Sequence, residues 1–300
     1  MALDAMDDGR SLPALESLYE IPASAVEAFR RDGHVKLQGA LTAAEITAYR
    51  PHLNAVIDAC VADDGLVARG LVDVGAGWKY VKNIWAQSPV SRRFVTSRRL
   101  GRIAADLMGV DAVRLFRDQS YYKEPGGGST PWHQDMRFIP LETDQIVSIW
   151  IPISRVSPDM APMDYASGSH RASRLLGISG PEEEDMGEFE REMAARGFPI
   201  ANHGTFEPGD VAVHHANVMH GSRANASTRQ REVIVAAYFP DGTPISGDLA
   251  LGAEPSPMDA YTNVIRAQNR EIAMGGLRPG DVARGPALPL VYSRAWDARA

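Results

Sequence analysis

The sequence predicts a mainly β domain preceded by helices, and three observations support this fold class. The first third of the chain has apolar residues at helical spacing after capping signals. After Gly109 the apolar residues recur at every second position, in short runs rich in Val, Ile, Trp and Tyr. Clusters of Gly, Pro and Ser separate these runs, which is typical of an antiparallel sandwich or barrel.

Three helices are predicted in the first third of the chain. A hydroxyl residue followed three positions later by glutamate, the pattern of a capping box, begins at Ser24 and again at Thr42. We therefore expect two helices to start there, the second of them kinked or divided by Pro51. A third helix is predicted over residues 97–108, with a stop at Gly109.

The strands predicted after the helical part cover residues 113–122, 145–153, 210–215 and 232–239. In the second of these runs Val and Ile alternate with other residues, which turns Trp150 to the face opposite the core, where it could line a cavity. Residues 181–197 begin with Pro and acidic residues and end with Arg-Gly. This pattern predicts a solvated helical insertion.

A single domain is expected to account for the whole chain, residues 1–300. Residues 1–110 are predicted to be mainly helical, and residues 111–240 to form the β core with a helical insertion over 171–205. Residues 241–300 are rich in Gly and Pro, and we expect this tail to wrap around the core. No repeat of about 20 to 50 residues is visible, which disfavours solenoids and propellers.

Composition excludes several classes of function. The 300 residues are 44% hydrophobic and 23% charged, as in ordinary globular proteins, and the net charge of -7 gives no field that favours nucleic acid. Cys60 is the only cysteine, so the sequence allows neither an intrachain disulfide nor a zinc cage of cysteines. No stretch approaches the roughly 20 apolar residues of a bilayer span. We expect a cytoplasmic protein with neither a membrane nor a nucleic-acid partner.

The most informative of the eight histidines is His133, because Asp135 follows two positions later. On a strand the two side chains would point to the same face and could bind one ion. Together with a distant histidine they would form the 2-His-1-carboxylate triad that holds non-haem Fe(II) with positions left open. A His-x-Asp tripeptide alone is weak evidence, since it is common in a chain with this many histidines.

A second group of residues supplies the context. A Gly-Asp turn at 209–210 precedes a short strand and then His220, Gly221 and Ser222. Arg231 follows at the start of an apolar strand, where an unpaired guanidinium would be costly to bury. A dicarboxylate co-substrate would supply the anion that Arg231 needs.

This ordered set of residues resembles the phytanoyl-CoA dioxygenase family of Fe(II)/2-oxoglutarate oxygenases over roughly residues 25–240. The matching positions are 133–135, Trp150, 168–170, 209–210, 220–222 and Arg231. Several anchors in the same order are far more specific than any one motif. The resemblance implies a double-stranded β-helix, the jelly-roll or cupin-like core, flanked by N-terminal helices.

The resemblance also implies roles for individual residues. It makes the iron ligands His133, Asp135 and His220. It implies that the far carboxylate of 2-oxoglutarate is clamped by Arg231 with Ser222. It also implies that the walls or hydrogen-bond partners of this co-substrate are Trp150 and Gln119. From its position, Lys82 could reach the co-substrate or an acidic group of the substrate, and it could equally be a surface lysine.

The implied reaction converts 2-oxoglutarate and O2 to succinate and CO2 while hydroxylating an unactivated C–H bond of a small molecule, a secondary metabolite or catabolic intermediate. Asp135 argues against halogenases that resemble this family, since they have Gly or Ala in place of the carboxylate. Desaturation, epimerisation and cyclisation by the same cofactors stay open. So does a cupin-like metal sensor or isomerase that does not use 2-oxoglutarate. The sequence does not determine the substrate or the oligomeric state, and a homodimer is one of the states that it allows.

Other residues have simpler interpretations. His214 and His215 would face opposite ways on one strand, and a buried, hydrogen-bonded histidine is expected there rather than a ligand. A turn position is expected for His170 and core packing for Trp132. The Gly-x-Ser-x-Gly motif of a serine hydrolase does not occur in the sequence.

Overall fold

A computed structural model describes residues 11–75, 77–172, 186–249 and 257–297. Its helices, in chain order, are α1 (Ala23–Asp32), α2 (Ala43–Val61), α3 (Asp64–Ala68), α4 (Pro89–Val95), α5 (Arg98–Met108), α6 (Met186–Ala195), α7 (Pro257–Ile272) and α8 (Arg294–Asp297). Its strands are β1 (His34–Leu37), β2 (Val72–Asp73), β3 (Trp78–Val81), β4 (Ala112–Ser120), β5 (Tyr122–Lys123), β6 (Thr130–His133), β7 (Val147–Pro152), β8 (Asp164–Ala166), β9 (Ile200–Asn202), β10 (Val211–His215), β11 (His220–Ser222), β12 (Val233–Pro240) and β13 (Leu290–Ser293).

Two antiparallel sheets form the core. The strand order is β1-β10-β7-β12-β4-β13 in the larger sheet and β6-β11-β8-β9 in the smaller one. Strands far apart in the sequence are neighbours in both sheets, as in a double-stranded β-helix. The predicted jelly-roll core with N-terminal helices is therefore confirmed. A small additional sheet has the order β2-β3-β5.

All four predicted strands are present in the core. They correspond to β4 with β5, then β7, β10 and β12. On β7, Val147, Ile149 and Ile151 belong to the hydrophobic cluster that the N-terminal helices share. Trp150 lies on the other face, in a second cluster with Val235. The alternation in the sequence thus predicted the two faces of β7 correctly.

The capping box predicted at Thr42 begins α2. The Thr42 hydroxyl accepts from the Glu45 amide at 3.1 Å, and the Glu45 carboxylate accepts from the Thr42 amide at 2.7 Å. The expectation that Pro51 divides this helix is wrong, because α2 continues unbroken to Val61. Tyr49 and Leu53, on either side of the proline, are buried in the core, and their packing offsets the missing hydrogen bond.

The capping box predicted at Ser24 is not formed. Helix α1 begins one residue earlier, after Pro22, whose carbonyl accepts from the amides of Ala25 and Val26. Proline holds its own φ at -55°, so it sets the entry into the helix in place of a hydroxyl cap. The third predicted helix is confirmed as α5, which ends at Gly109 in the left-handed conformation.

The predicted insertion is less solvated than expected. Residues 173–185, which include the acidic run 182–185, lie outside the described residues. In α6 the side chains of Met186, Phe189 and Met193 are buried against the smaller sheet, and the Phe189 ring lies 5.5 Å from that of Trp132. Their spacing gives α6 an apolar face, so one side of the helix belongs to the core.

The region after residue 240 contributes to the larger sheet. Strand β13 pairs antiparallel with β4 and forms the edge of that sheet. Helix α7 packs beside the chain segment that follows β6, where Arg137 donates to Thr262 at 2.7 Å. Within the described ranges, no helix has both the length and the apolar character needed to cross a bilayer.

Candidate metal centre

Three side chains predicted to bind metal come together where β6 and β11 pair. His133 is the last residue of β6 and His220 the first of β11, and the two stand opposite each other in the antiparallel register. Asp135 follows just past β6. The ligand atoms of the three residues all lie within 4.8 Å of one another. The pairing of two strands that are distant in the sequence therefore assembles the set.

The expectation that Asp135 shares a strand with His133 is wrong in detail. Strand β6 ends at His133, and Asp135 begins a short 3₁₀ helix. Gln134 between them keeps an extended backbone, with φ -118° and ψ 125°, and its side chain donates to the Asn217 carbonyl. The side chains on either side of Gln134 still reach the same place because the alternation of strand residues persists across it.

Backbone carbonyls orient both imidazoles. Nδ1 of His133 donates to the Pro131 carbonyl at 2.8 Å, and Nδ1 of His220 donates to the Val218 carbonyl at 3.0 Å. Each ring thereby presents Nε2 to the centre, at 3.6 Å and 3.9 Å from Oδ1 of Asp135. A histidine that binds metal through one nitrogen commonly donates the other N–H in this way.

The carboxylate of Asp135 is held from its other side. Its Oδ2 accepts from the Ser148 hydroxyl at 2.7 Å and from Nε2 of His214 at 3.2 Å. Burial opposes ionisation, but the interactions with His133 and His214 outweigh it and hold the pKa of Asp135 well below its usual value. The expected buried, hydrogen-bonded role of a histidine at 214–215 is confirmed for His214.

The donor set fits a divalent transition metal such as iron. Burial, together with His133 and His214, lowers the pKa of His220 well below the usual value, which favours the neutral form that ligates metals. Two imidazole nitrogens and one ionised carboxylate match the facial triad of non-haem iron proteins. Among the described residues, no other group of three or more His, Cys, Asp or Glu side chains comes as close together.

A cavity with a buried arginine adjoins the triad. We call it the inner cavity, and besides the triad its lining consists of Gln119, Tyr121, Thr130, Trp150, Met163, His214, Arg231 and Val235. Arg231 is 1% exposed, and no carboxylate pairs with it in the described part of the chain. Its Nε lacks a hydrogen-bond partner, and burial lowers its pKa to about 9. A buried guanidinium in this state favours an anionic ligand.

Ser222 and Lys123 lie beside the guanidinium. The Ser222 hydroxyl is 3.5 Å from Nη1 of Arg231, and it also accepts from Nζ of Lys123 at 2.8 Å. Lys123 is fully buried and forms a bridge with Arg231 in the backbone pairing. Sequence reasoning missed Lys123. Its place at the end of a predicted strand, in a chain with only four lysines, was the available signal.

Trp150 and Gln119 both line the inner cavity, as the sequence suggested. The Trp150 ring lies 5.8 Å from the Arg231 guanidinium carbon, and it packs against Phe206. The Gln119 carbonyl accepts from the Tyr80 hydroxyl at 2.5 Å, and its amide donates to the Tyr121 hydroxyl at 3.2 Å. These contacts fix the Gln119 side chain at the cavity wall.

Lys82 does not line the inner cavity. It lines a neighbouring opening, which we call the outer cleft, whose lining consists of Tyr80, Lys82, Arg117, Tyr121, His133, Asp135, Phe138, Tyr261 and Ile265. His170 lies away from both openings, and its Nε2 donates to the Arg30 carbonyl at 3.3 Å. Trp132 is fully buried against α6, in agreement with its expected core role.

Curated proteins similar to this chain are oxygenases. The probable alpha-ketoglutarate-dependent hypophosphite dioxygenase of Stutzerimonas stutzeri is 26% identical over 160 residues, which are 51% of this chain and 54% of that protein. The ectoine dioxygenase of Sphingopyxis alaskensis is 26% identical over 226 residues, 68% of this chain and 71% of that protein. The chain thus matches about half the length of the first relative and more of the second.

Solved structures share the fold. The carbocyclase SnoK from nogalamycin biosynthesis superposes with a TM-score of 0.66 at 23% identity, covering 91% of this chain and 97% of SnoK. EctD from S. alaskensis, solved with 2-oxoglutarate and 5-hydroxyectoine, has a TM-score of 0.65 at 24% identity, covering 92% and 93%. The family model of phytanoyl-CoA dioxygenase (PhyH) matches residues 29–233. This match spans more than half of the sequence, and the chain therefore belongs to the phytanoyl-CoA dioxygenase family.

Proposed function

We propose that this protein is an Fe(II)- and 2-oxoglutarate-dependent oxygenase that hydroxylates a C–H bond of a small molecule. The observation that carries the proposal is the buried guanidinium of Arg231, which pairs with no carboxylate of the described residues and lines the same cavity as the triad. A metal sensor or isomerase needs the triad alone and gives no reason to bury that charge. The relatives with 2-oxoglutarate in their names or structures support the same co-substrate.

In this proposal His133, Asp135 and His220 hold the iron, and bound iron would supply the activation of O2. The protein fixes the ligand geometry before the metal binds. Carbonyl acceptors set which imidazole nitrogen faces the centre, and the hydrogen bond from Ser148 holds the Asp135 carboxylate in place. Less reorganisation is then needed on metal binding.

Arg231 binds the far carboxylate of 2-oxoglutarate. A guanidinium can donate two parallel hydrogen bonds to a carboxylate, and the burial of Arg231 strengthens them. The hydroxyl of Ser222 lies beside the guanidinium, and Lys123 adds positive charge behind it. The Trp150 ring lies next to the guanidinium, and Gln119 on β4 lines the same cavity. The keto-acid end of the co-substrate would then face the metal ligands.

Hydroxylation is proposed over halogenation because Asp135 completes the set of protein ligands at the metal. Desaturation, epimerisation and ring closure differ only in how the activated substrate is positioned, and SnoK, a carbocyclase, has the same fold. The outcome therefore depends on the substrate and not on the metal set. A small molecule is the proposed substrate class since ectoine dioxygenase and SnoK are named for such chemistry.

The proposal is tested by measuring 2-oxoglutarate affinity calorimetrically on Fe(II)-loaded protein without oxygen. Arg231→Met should weaken binding at least about 30-fold, because loss of a buried charge-pair partner costs roughly 2 kcal/mol or more. The matched control is Arg229→Met, since Arg229 lies outside the inner cavity and contacts Met160. Equal affinities of wild type and Arg231→Met, or no binding by the wild type, would contradict the proposal.

A further inference from the structure

The triad lies between two openings, and only one of them is occupied in the proposed function. The inner cavity and the outer cleft have Tyr121, His133 and Asp135 in common. If 2-oxoglutarate fills the inner cavity, a second reactant can reach the metal ligands only from another side. The outer cleft provides that access, so its lining describes the chemistry of the primary substrate.

Two cations, Lys82 and Arg117, line the outer cleft. Nζ of Lys82 donates to the Gly70 carbonyl at 3.2 Å, and Nη1 of Arg117 donates to the Asn269 side chain at 2.9 Å. In the part of the chain that the structure describes, neither residue forms a salt bridge with a carboxylate. By contrast, Lys79 on the same stretch as Lys82 pairs with Asp58 at 3.0 Å.

The two cations are placed together by the sheet. Lys82 forms an isolated bridge with Gln119 of β4, and Arg117 is two residues before Gln119 on that strand, so it shares the same face. Burial is the main cause that lowers the pKa of Lys82, and the nearby charge of Arg117 lowers it further, whereas Asp73 raises it. Both cations are partly buried, which strengthens their field in the cleft.

Apart from Tyr121, His133 and Asp135, which the cleft shares with the inner cavity, the remaining lining is apolar and aromatic. Tyr80, Phe138, Tyr261 and Ile265 surround the cations, and Tyr261 is 53% exposed at the mouth of the cleft. The Tyr80 ring lies 5.5 Å from Nζ of Lys82. An apolar wall with a few convergent charged groups is the usual composition of a small-ligand site. It suits a ligand that has both an apolar body and an anionic group.

We propose that the primary substrate is a small organic acid, whose carboxylate binds between Lys82 and Arg117 and whose apolar body lies along Tyr80, Phe138 and Tyr261 toward the triad. This inference rests on the proposed function, because the triad gives the cleft its reactive end. In a protein of net charge -7, two cations that form no salt bridge with a described carboxylate select for an acid by local charge and not by a global field. Lys82 and Arg117 are specificity-determining residues in this account.

The test uses Fe(II)- and 2-oxoglutarate-loaded protein without oxygen and a panel of monocarboxylates of about four to ten carbons, aliphatic and phenyl-substituted, each with its primary amide. Calorimetry measures the affinity of both members of each pair. At least one carboxylate should bind about ten-fold or more tightly than its amide, since a charge-assisted pair is worth roughly 1.4 kcal/mol or more.

Variants localise the effect. Lys82→Met and Arg117→Met should each weaken the carboxylate about ten-fold and leave its amide unchanged, while Lys82→Arg should retain most of the affinity. Lys79→Met serves as the control, since Lys79 is already paired with Asp58. Unchanged 2-oxoglutarate affinity in all four variants confirms that the inner cavity is intact.

Three results would overturn the inference: no carboxylate of the panel binds, acids and amides bind alike, or Lys79→Met weakens the acid as much as Lys82→Met does. These results are distinct from a failure of the proposed function. If 2-oxoglutarate does not bind the iron-loaded protein in the absence of any panel compound, the co-substrate assignment itself fails. Binding of 2-oxoglutarate without a preference for acids defeats only the substrate inference.

Discussion

Among single residues, Ser148 supports the carboxylate of the proposed metal ligand Asp135. Ser148 on β7 donates to Oδ2 of Asp135 and so fixes the carboxylate from behind. We expect Ser148→Ala to weaken Fe(II) binding about 10-fold, the lower end of the range for loss of such a supporting hydrogen bond. A competition titration with a chelator measures it. The control is Ser154→Ala, at a position beyond the end of the same strand. An equal loss of Fe(II) affinity in both variants would show that Ser148 has no special role.

A second residue-scale prediction concerns Asp118 on β4. Its carboxylate is fully buried and accepts from the Trp85 amide at 3.1 Å. Burial raises its pKa to about 7 from 3.8, although the backbone hydrogen bonds oppose the shift. Between these two pKa values the unfolded chain has lost the Asp118 proton, while the folded protein still keeps it. The contribution of Asp118 to stability therefore falls as the pH rises toward about 7 and stays low above it.

Asp118→Asn should remove this dependence. From pH 5 to pH 8 the wild type should lose about 3 kcal/mol of unfolding free energy relative to the variant, since one pKa unit corresponds to about 1.4 kcal/mol. Urea denaturation of both proteins at the two pH values measures the difference. If the two proteins show the same change between pH 5 and pH 8, Asp118 does not titrate in this range.

Most residues of the candidate site were predicted from the sequence. His133, Asp135 and His220 lie together, as do Arg231 and Ser222, and their roles had been implied by the order of anchors that the sequence shares with the family it resembles. Of the roles left open for Lys82, its place in the outer cleft does not favour a contact with the co-substrate, and a contact with an acidic group of the substrate stays a prediction. Lys123 was missed because a buried lysine is unusual and its sequence neighbours do not mark it.

At the scale of elements, the turn before β10 sets how the helical layer meets the sheet. Gly209 has φ +104°, and a Cβ there would lie 2.0 Å from the Leu41 carbonyl oxygen. The Leu41 amide also donates to the Gly209 carbonyl at 3.0 Å, so the two backbones cannot separate without losing this bond. The segment between β1 and α2 is thereby fixed against β10.

Gly209→Ala should therefore destabilise the fold by about 3 kcal/mol, which combines backbone strain with the clash. The matched control is Gly242→Ala. Gly242 also has a positive φ of +86°, but no atom lies within 4 Å of the place that an alanine Cβ would take, so only about 1 kcal/mol of strain is expected. Chemical denaturation compares the two variants. Equal destabilisation would show that the contact with Leu41 carries no cost.

The elements themselves differ in how far the sequence predicts them. Strong alternation made β7 and its two faces predictable, and the reciprocal capping box did the same for the start of α2. Pro51 was misjudged because packing on both sides of a proline can hold a helix together, which local propensity does not include. The buried face of α6 was available from the spacing of its Met and Phe residues, but the charged residues around them obscured it.

At the scale of the whole molecule, function depends on contacts between distant parts of the chain. The triad requires β6 to pair with β11, and the inner cavity requires β4, β7 and β12 to lie side by side. Strand β13 closes the far edge of that sheet against β4. No local pattern specifies these pairings, which is why the resemblance to a family, and not periodicity, predicted the jelly-roll topology.

In the proposed function, one cavity holds iron on the triad and 2-oxoglutarate on Arg231. The most direct test of this claim adds Fe(II) and then 2-oxoglutarate to the metal-free protein without oxygen and records the weak visible charge-transfer band of a chelated keto acid. We expect the band in the wild type and its loss in His133→Ala. Iron binding without the band in the wild type would contradict the claim and leave a metal site that does not use 2-oxoglutarate.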